Sequence, residues 1–132
     1  MSQENVEALR AVYERWGRGD FWTPEIFDPE VEAVWASALP DLGTSHGLHE
    51  LSESFRGWVS ALDEVGWTAE ELIDLPGDRV LVLMTTYARG RGSGIETEGK
   101  YAHIWTFRDG KATRIEGFID WASARAKAKL EK

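Results

Sequence analysis

The sequence predicts a single α+β domain: two amphipathic helices and a short helical turn, followed by an antiparallel meander of four strands. Three observations carry this reading. Apolar residues recur at spacings of three and four over residues 3–16 and 48–62, the period of a helix with one buried face. From Trp67 onward the pattern changes to runs rich in β-branched and aromatic residues. Glycine-containing turn signals separate those runs, as hairpins require.

In the first helix Val6, Leu9, Tyr13 and Trp16 form the apolar stripe, and Ser2 stands where an N-cap belongs. "GRGD" ends it at Gly17 or Gly19. "TPEIF" is a short helical turn with Thr23 as its cap and Pro24 in the first turn, where a missing N–H is harmless. "VEAVWA", residues 31–36, is a first strand, and "SALPDLGTSHG" after it is a loop by its Pro, Asp, Gly and Ser content. The second helix runs from 48 to 62, with Leu48, Leu51, Phe55, Trp58 and Leu62 as its stripe.

Four strands follow: "WTAEELIDL", the one closest to a helical pattern, then "RVLVLMTTYARG", "ETEGKYAHIWTFR" and "KATRIEGFIDW". "GDR" at residues 77–79 and the two-residue "DG" at Asp109 and Gly110 turn the chain between them. "GRGSG", from Gly90 to Gly94, is a hairpin tip rather than a phosphate cradle, because a strand and not a helix follows it. The end, residues 121–132, has helix propensity but little apolar face and reads as a surface helix or tail.

At 132 residues the chain suits one domain, 1–132, able to bury a core without staples. The absence of cysteine excludes disulfides, thiolate metal sites and cysteine nucleophiles. A formal net charge of −8 disfavours nucleic acid, which is bound largely through Lys and Arg. The start lacks the pattern of a signal peptide and no apolar run reaches the length of a membrane span, so a cytoplasmic protein without a membrane partner is expected. His46 and His49 lie three apart, but a metal would need further ligands such as Glu50 or Asp41, and none is expected. No nucleotide or flavin motif is present, and no cofactor is expected.

The arrangement, with "VWASALPDLGTSHGLHELSESFRGWV" in the middle and "RVLVLMTTYARGRGSGIETEGKYAHIWTFRDGKATRIEGFID" at the end, resembles the SnoaL-like branch of the NTF2-like, or ketosteroid isomerase-like, superfamily. The likeness spans most of the chain and is sharpest at "RGRGSG", "HIWTFRDGK" and the aspartate closing the last strand. It implies a cone, a curved antiparallel sheet wrapped around the N-terminal helices with an apolar cavity inside, usually as a homodimer. The superfamily holds polyketide cyclases, isomerases and dehydratases beside non-catalytic members, so the fold does not choose a function.

His103 is the central candidate. Strand alternation puts Tyr101, His103, Trp105 and Phe107 on one face and Ala102, Ile104 and Thr106 on the other. Aligned on "FRDGK", His103 falls where ketosteroid isomerase carries the protonated acid of its oxyanion hole, which implies a place on the cavity wall. The same resemblance puts Val12 at the isomerase's tyrosine, with Tyr13 one position away, and Trp35 at its catalytic aspartate. Two of three catalytic positions are therefore lost, and steroid isomerisation is not implied.

Asp120 stands where SnoaL-like cyclases are expected to hold a general base, although it also precedes a helix that it could cap. Tyr13, Trp16, Trp35, Phe55, Tyr101 and Trp105 are the expected lining of a site for a small hydrophobic molecule bearing a carbonyl or hydroxyl group. Two functions follow as expectations. One is a cofactor-free cyclase, isomerase or dehydratase with Asp120 as base and His103 polarising an oxygen; the other is a non-catalytic binding or dimerisation domain. A hydratase would need a further water-orienting group, for which Glu32 and Tyr101 are the candidates.

Overall fold

A computed structural model describes residues 2–35 and 43–130. Helix α1 (Ser2–Gly17) is followed by a 3-10 turn (Pro24–Ile26), strand β1 (Phe27–Val34), short strand β2 (Thr44–His46) and helix α2 (Gly47–Val59). Strands β3 (Leu62–Leu75), β4 (Arg79–Gly90), β5 (Glu96–Arg108) and β6 (Lys111–Phe118) then lead to helix α3 (Trp121–Leu130). The six strands form one sheet in the order β2-β1-β6-β5-β4-β3. Every pair is antiparallel except β1 with β6, which is parallel.

The alternation of residues divides β4 to β6 between two cores. Val80, Val82, Met84, Trp105, Phe107 and Ile115 face inward onto α1 and α2. Leu81, Leu83, Ala102, Ile104 and Phe118 face outward and pack against Ala124 and Ala128 of α3. The molecule thus has three layers, helices on both sides of one sheet. Strand β3 bends through register shifts between Leu62 and Glu64 and between Ala69 and Glu71, and bulges of this kind curve a strand toward its helices. Gly66 lets the curved strand close on α1, since a Cβ there would lie 2.9 Å from the carbonyl oxygen of Gly17.

The hairpin turn at Asp109 and Gly110 has both residues at positive φ, 53° and 79°, as a two-residue turn of the primed type demands. Several expectations shift. The first strand begins at Phe27, four residues early, because the 3-10 turn runs straight into it; its register shifts between Phe27 and Glu32, around Pro29, which lacks an N–H for the ladder. Residues 44–46, expected in a loop, pair with β1 as β2, while 37–42 of that loop lie outside the described residues. Helix α2 stops at Val59 and Leu62 opens β3 instead of ending the helical stripe. The side chains of Ser2, expected as a cap, and of Trp58 are not described, and Asp41 lies outside the described residues.

The C-terminal helix is more than a polar tail. Alanines at 124 and 128 are four apart and so share a helix face, and their small side chains let the backbone lie close on the sheet. Trp121 anchors its start, donating from Nε1 to the carbonyl oxygens of Tyr101 at 2.9 Å and Met84 at 3.2 Å.

Candidate functional site

The inner face of β5 carries His103 and Trp105 two residues apart, and α1 lays Tyr13 and Trp16 across them. On α1 the stripe Val6, Leu9, Val12, Tyr13 and Trp16 is buried throughout. Its hydroxyl lies 2.6 Å from His103 Nδ1 and 3.0 Å from Trp105 Nε1. An indole nitrogen can only donate, so Trp105 gives its hydrogen to the Tyr13 oxygen. The phenolic proton finds an acceptor in this cluster when Tyr13 donates to Nδ1, and the neutral His103 then carries its own hydrogen at Nε2.

Burial holds both groups in their neutral forms. His103 is 2 % exposed, and loss of water pushes its imidazolium down to about 3. Burial likewise pushes the Tyr13 phenol far up, opposed only weakly by the hydrogen bond from Trp105. Among the described residues Nε2 of His103 has no hydrogen-bond partner.

Around the imidazole the shell is aromatic. Ring centroids of Trp67, Trp35 and Trp16 lie 5.3, 6.0 and 6.2 Å from that of His103. Gly117 of β6 makes room for this packing: a Cβ there would sit 3.1 Å from the Trp35 ring and 3.7 Å from His103 Cδ2, the carbon bonded to Nε2. Phe55 of α2 lies one layer farther out, 5.8 Å from Trp16, 6.2 Å from Trp35 and 6.5 Å from Trp67. A fully aromatic wall with one convergent polar group is the usual make-up of a small-molecule site. The two hollows described at the surface, about 480 and 460 Å³, are open grooves that do not include His103.

The structure therefore brings His103, Tyr13, Trp16, Trp35 and Trp105 together, with Phe55 behind them. Tyr101 shares the alternating face but stands 37 % exposed where β5 runs past the helices, with no ring of the cluster against it among the described residues. Asp120 is exposed at the start of α3, where its carboxylate accepts the backbone N–H of Ser123 at 2.7 Å. That capping contact holds its carboxyl below the usual carboxylate range. The structure thus gives Asp120 the position of a helix cap outside the aromatic shell, not of a base facing His103.

Glu32 lies on the other face of β1 from Val31 and Ala33, paired with Arg114 at 3.0 Å and His46 at 3.5 Å. Glu116 is the one buried carboxylate among the described residues, and it faces outward, with Arg114 at 3.1 Å and Lys127 at 3.9 Å. Among the described residues no group of three or more His, Cys, Asp or Glu gathers as a metal site would need. No helix is long and apolar enough to cross a membrane.

Two neighbours of His103 were not singled out from sequence. Trp67 opens the least strand-like of the four runs, and its value lies in a contact between β3 and β5, strands that are not adjacent. Gly117 has no side chain to draw notice; its alternation with Ile115 and Ile119 was the available signal. Tyr13, one step along α1 from Val12, turns its hydroxyl onto His103.

The SnoaL-like domain family matches the chain over residues 9–115. No protein of curated function matches it. Among solved structures, TerC co-crystallised with polyporic acid is 27 % identical, covers 98 % of this chain and 99 % of its own, and superposes with a TM-score of 0.74. An NTF2-like protein of unknown function from Burkholderia pseudomallei is 26 % identical over 95 % of this chain and 97 % of its own, with a TM-score of 0.77. A candidate SnoaL-like polyketide cyclase from Jannaschia sp., 19 % identical over 96 % and 92 % with a TM-score of 0.73, shares the fold.

Proposed function

The chain belongs to the SnoaL-like domain family, and from that premise we propose that it binds a small, mostly hydrophobic aromatic molecule whose carbonyl or hydroxyl oxygen accepts a hydrogen bond from His103 Nε2. One observation carries this reading: a neutral imidazole inside an aromatic shell, fixed at Nδ1 by Tyr13 and without a partner at Nε2 among the described residues. Nε2 is left free to donate, and a ligand oxygen seated among the rings would accept its hydrogen away from competing water. The indole and phenyl faces supply the apolar contact area, and the relay from Trp105 through Tyr13 keeps the imidazole turned for donation. The polyporic acid in the TerC crystals supports an organic ligand of this general kind.

The pair is suited to polarising an oxygen more than to moving a proton. An imidazole that low is a weak base, and a phenol that high is a weak acid. No carboxylate is buried on the inner face among the described residues, and Asp120 has no chemical role in this reading. We therefore favour a binding protein over a cyclase, isomerase or dehydratase. The test compares 2-acetylnaphthalene with 2-ethylnaphthalene by quenching of tryptophan fluorescence. The ketone is expected to bind about tenfold more tightly, the worth of one buried hydrogen bond, and His103→Leu is expected to erase the difference. Equal affinity of both compounds for the wild type overturns the reading.

The homodimer implied by the resemblance also stays a proposal. Helix α3 covers part of the outer sheet, and an open groove lined by Thr68, Thr85, Tyr87 and Lys100 lies on the part beyond it. Light scattering across a concentration series is expected to give twice the 14.9 kDa chain mass; the single-chain mass throughout overturns it.

A further inference from the structure

We propose that Phe55 is a door, and that the groove outside it is the entrance through which a ligand reaches His103. The inference rests on the reading of His103 as a binding group, because a site with so little exposure needs a route. The geometry points to one. Phe55 lies against three indoles, Trp16, Trp35 and Trp67, and the same three rings lie against His103. Phe55 also lines the surface groove, so it stands between that groove and the ring cluster that holds the imidazole.

The outer side of Phe55 is a wall of the groove of about 460 Å³ between the corner after α1 and helix α2, lined also by Phe21, Trp22, Ser52, Arg56 and Val59. Phe21 lies beside Phe55, 6.3 Å from it and 5.0 Å from Trp67. Trp22, 42 % exposed beside them, offers an indole face on which a planar molecule can stack before it passes inward. Rotation of one phenyl side chain, with a small shift of α2, joins groove and site. No other element needs to unfold. The passage is the width of a ring, so it favours flat aromatic molecules over branched aliphatic ones.

The door can be tested without a ligand. Diethyl pyrocarbonate acylates neutral imidazole, and the chain carries three histidines, of which His46 and His49 are exposed and serve as internal references. In the wild type His103 is expected to react far more slowly than either. Phe55→Ala is expected to raise the ratio of His103 to His46 labelling by about tenfold, and Phe55→Leu by less, as the opening grows with the atoms removed. Leu51→Ala removes a fully buried side chain one turn away on the same helix and is expected to leave the ratio within about twofold. An unchanged ratio in both Phe55 variants, or an equal rise in Leu51→Ala, overturns the door. Failure of the naphthalene comparison with the labelling result intact would remove the binding reading and leave the passage standing.

Discussion

At the scale of single residues, His103 ties the site to stability. Folding takes its imidazolium from the ordinary 6.5 down to about 3. Between those values the unfolded chain holds a proton that the folded chain does not. The contribution of neutral His103 is therefore complete above pH 6.5 and is lost as pH falls toward 3, on the order of a few kcal/mol. Urea midpoints measured from pH 7 to pH 4 are expected to fall more steeply for the wild type than for His103→Phe; parallel slopes would assign the acid sensitivity to carboxylates instead. Tyr13→Phe strips partners from both His103 Nδ1 and Trp105 Nε1, at about 1–3 kcal/mol. It also frees the tautomer, so the imidazole ¹⁵N shifts are expected to move from a pure Nε2–H pattern toward a mixture. Unchanged shifts would show that Tyr13 does not fix the proton.

At the scale of elements, two junctions hold the layers in place. Asp120 caps α3 through the Ser123 N–H, and Asp120→Ala is expected to cost about 1 kcal/mol in thermal or urea unfolding while leaving ligand affinity unchanged. A large loss of affinity with little loss of stability would return Asp120 to the binding chemistry. Gly66 is where α1 meets β3, and a methyl group there meets backbone rather than a side chain able to swing aside. Gly66→Ala is expected to destabilise by about 1–3 kcal/mol, the range of overpacked sites, read from the urea midpoint. The helices α1 and α2 and the four-strand meander were legible from their periods, because each has one strongly apolar face. The short strand β2 was not: with three residues and one buried side chain, it gains strand form only by pairing with β1. The docking of α3 was half-written in the apolar run at Val80 to Met84, since neighbouring residues on a strand point to opposite faces and both faces must then be covered.

At the scale of the whole molecule, function follows from where the layers put one imidazole. The inner core is rich in rings, of which Tyr13, Trp16, Trp35 and Trp67 surround His103, and a groove lies on the outer side of Phe55. Composition, helical and strand periods, turn residues and the lack of cysteine determined the domain class, the order of the main elements and the face on which His103 stands, because these are local properties of neighbouring side chains. The tertiary structure decided the rest. Tyr13 and His103 are ninety residues apart, and only the packing of α1 across β5 brings hydroxyl to imidazole. Asp120 is an outer cap because β6 ends at Phe118 and α3 begins at Trp121, which leaves Asp120 at the start of the helix. The parallel pairing of β1 with β6 and the contact of Trp67 with His103 likewise join segments far apart in the chain. Such meetings depend on the angle and depth at which whole layers pack, which no local pattern encodes.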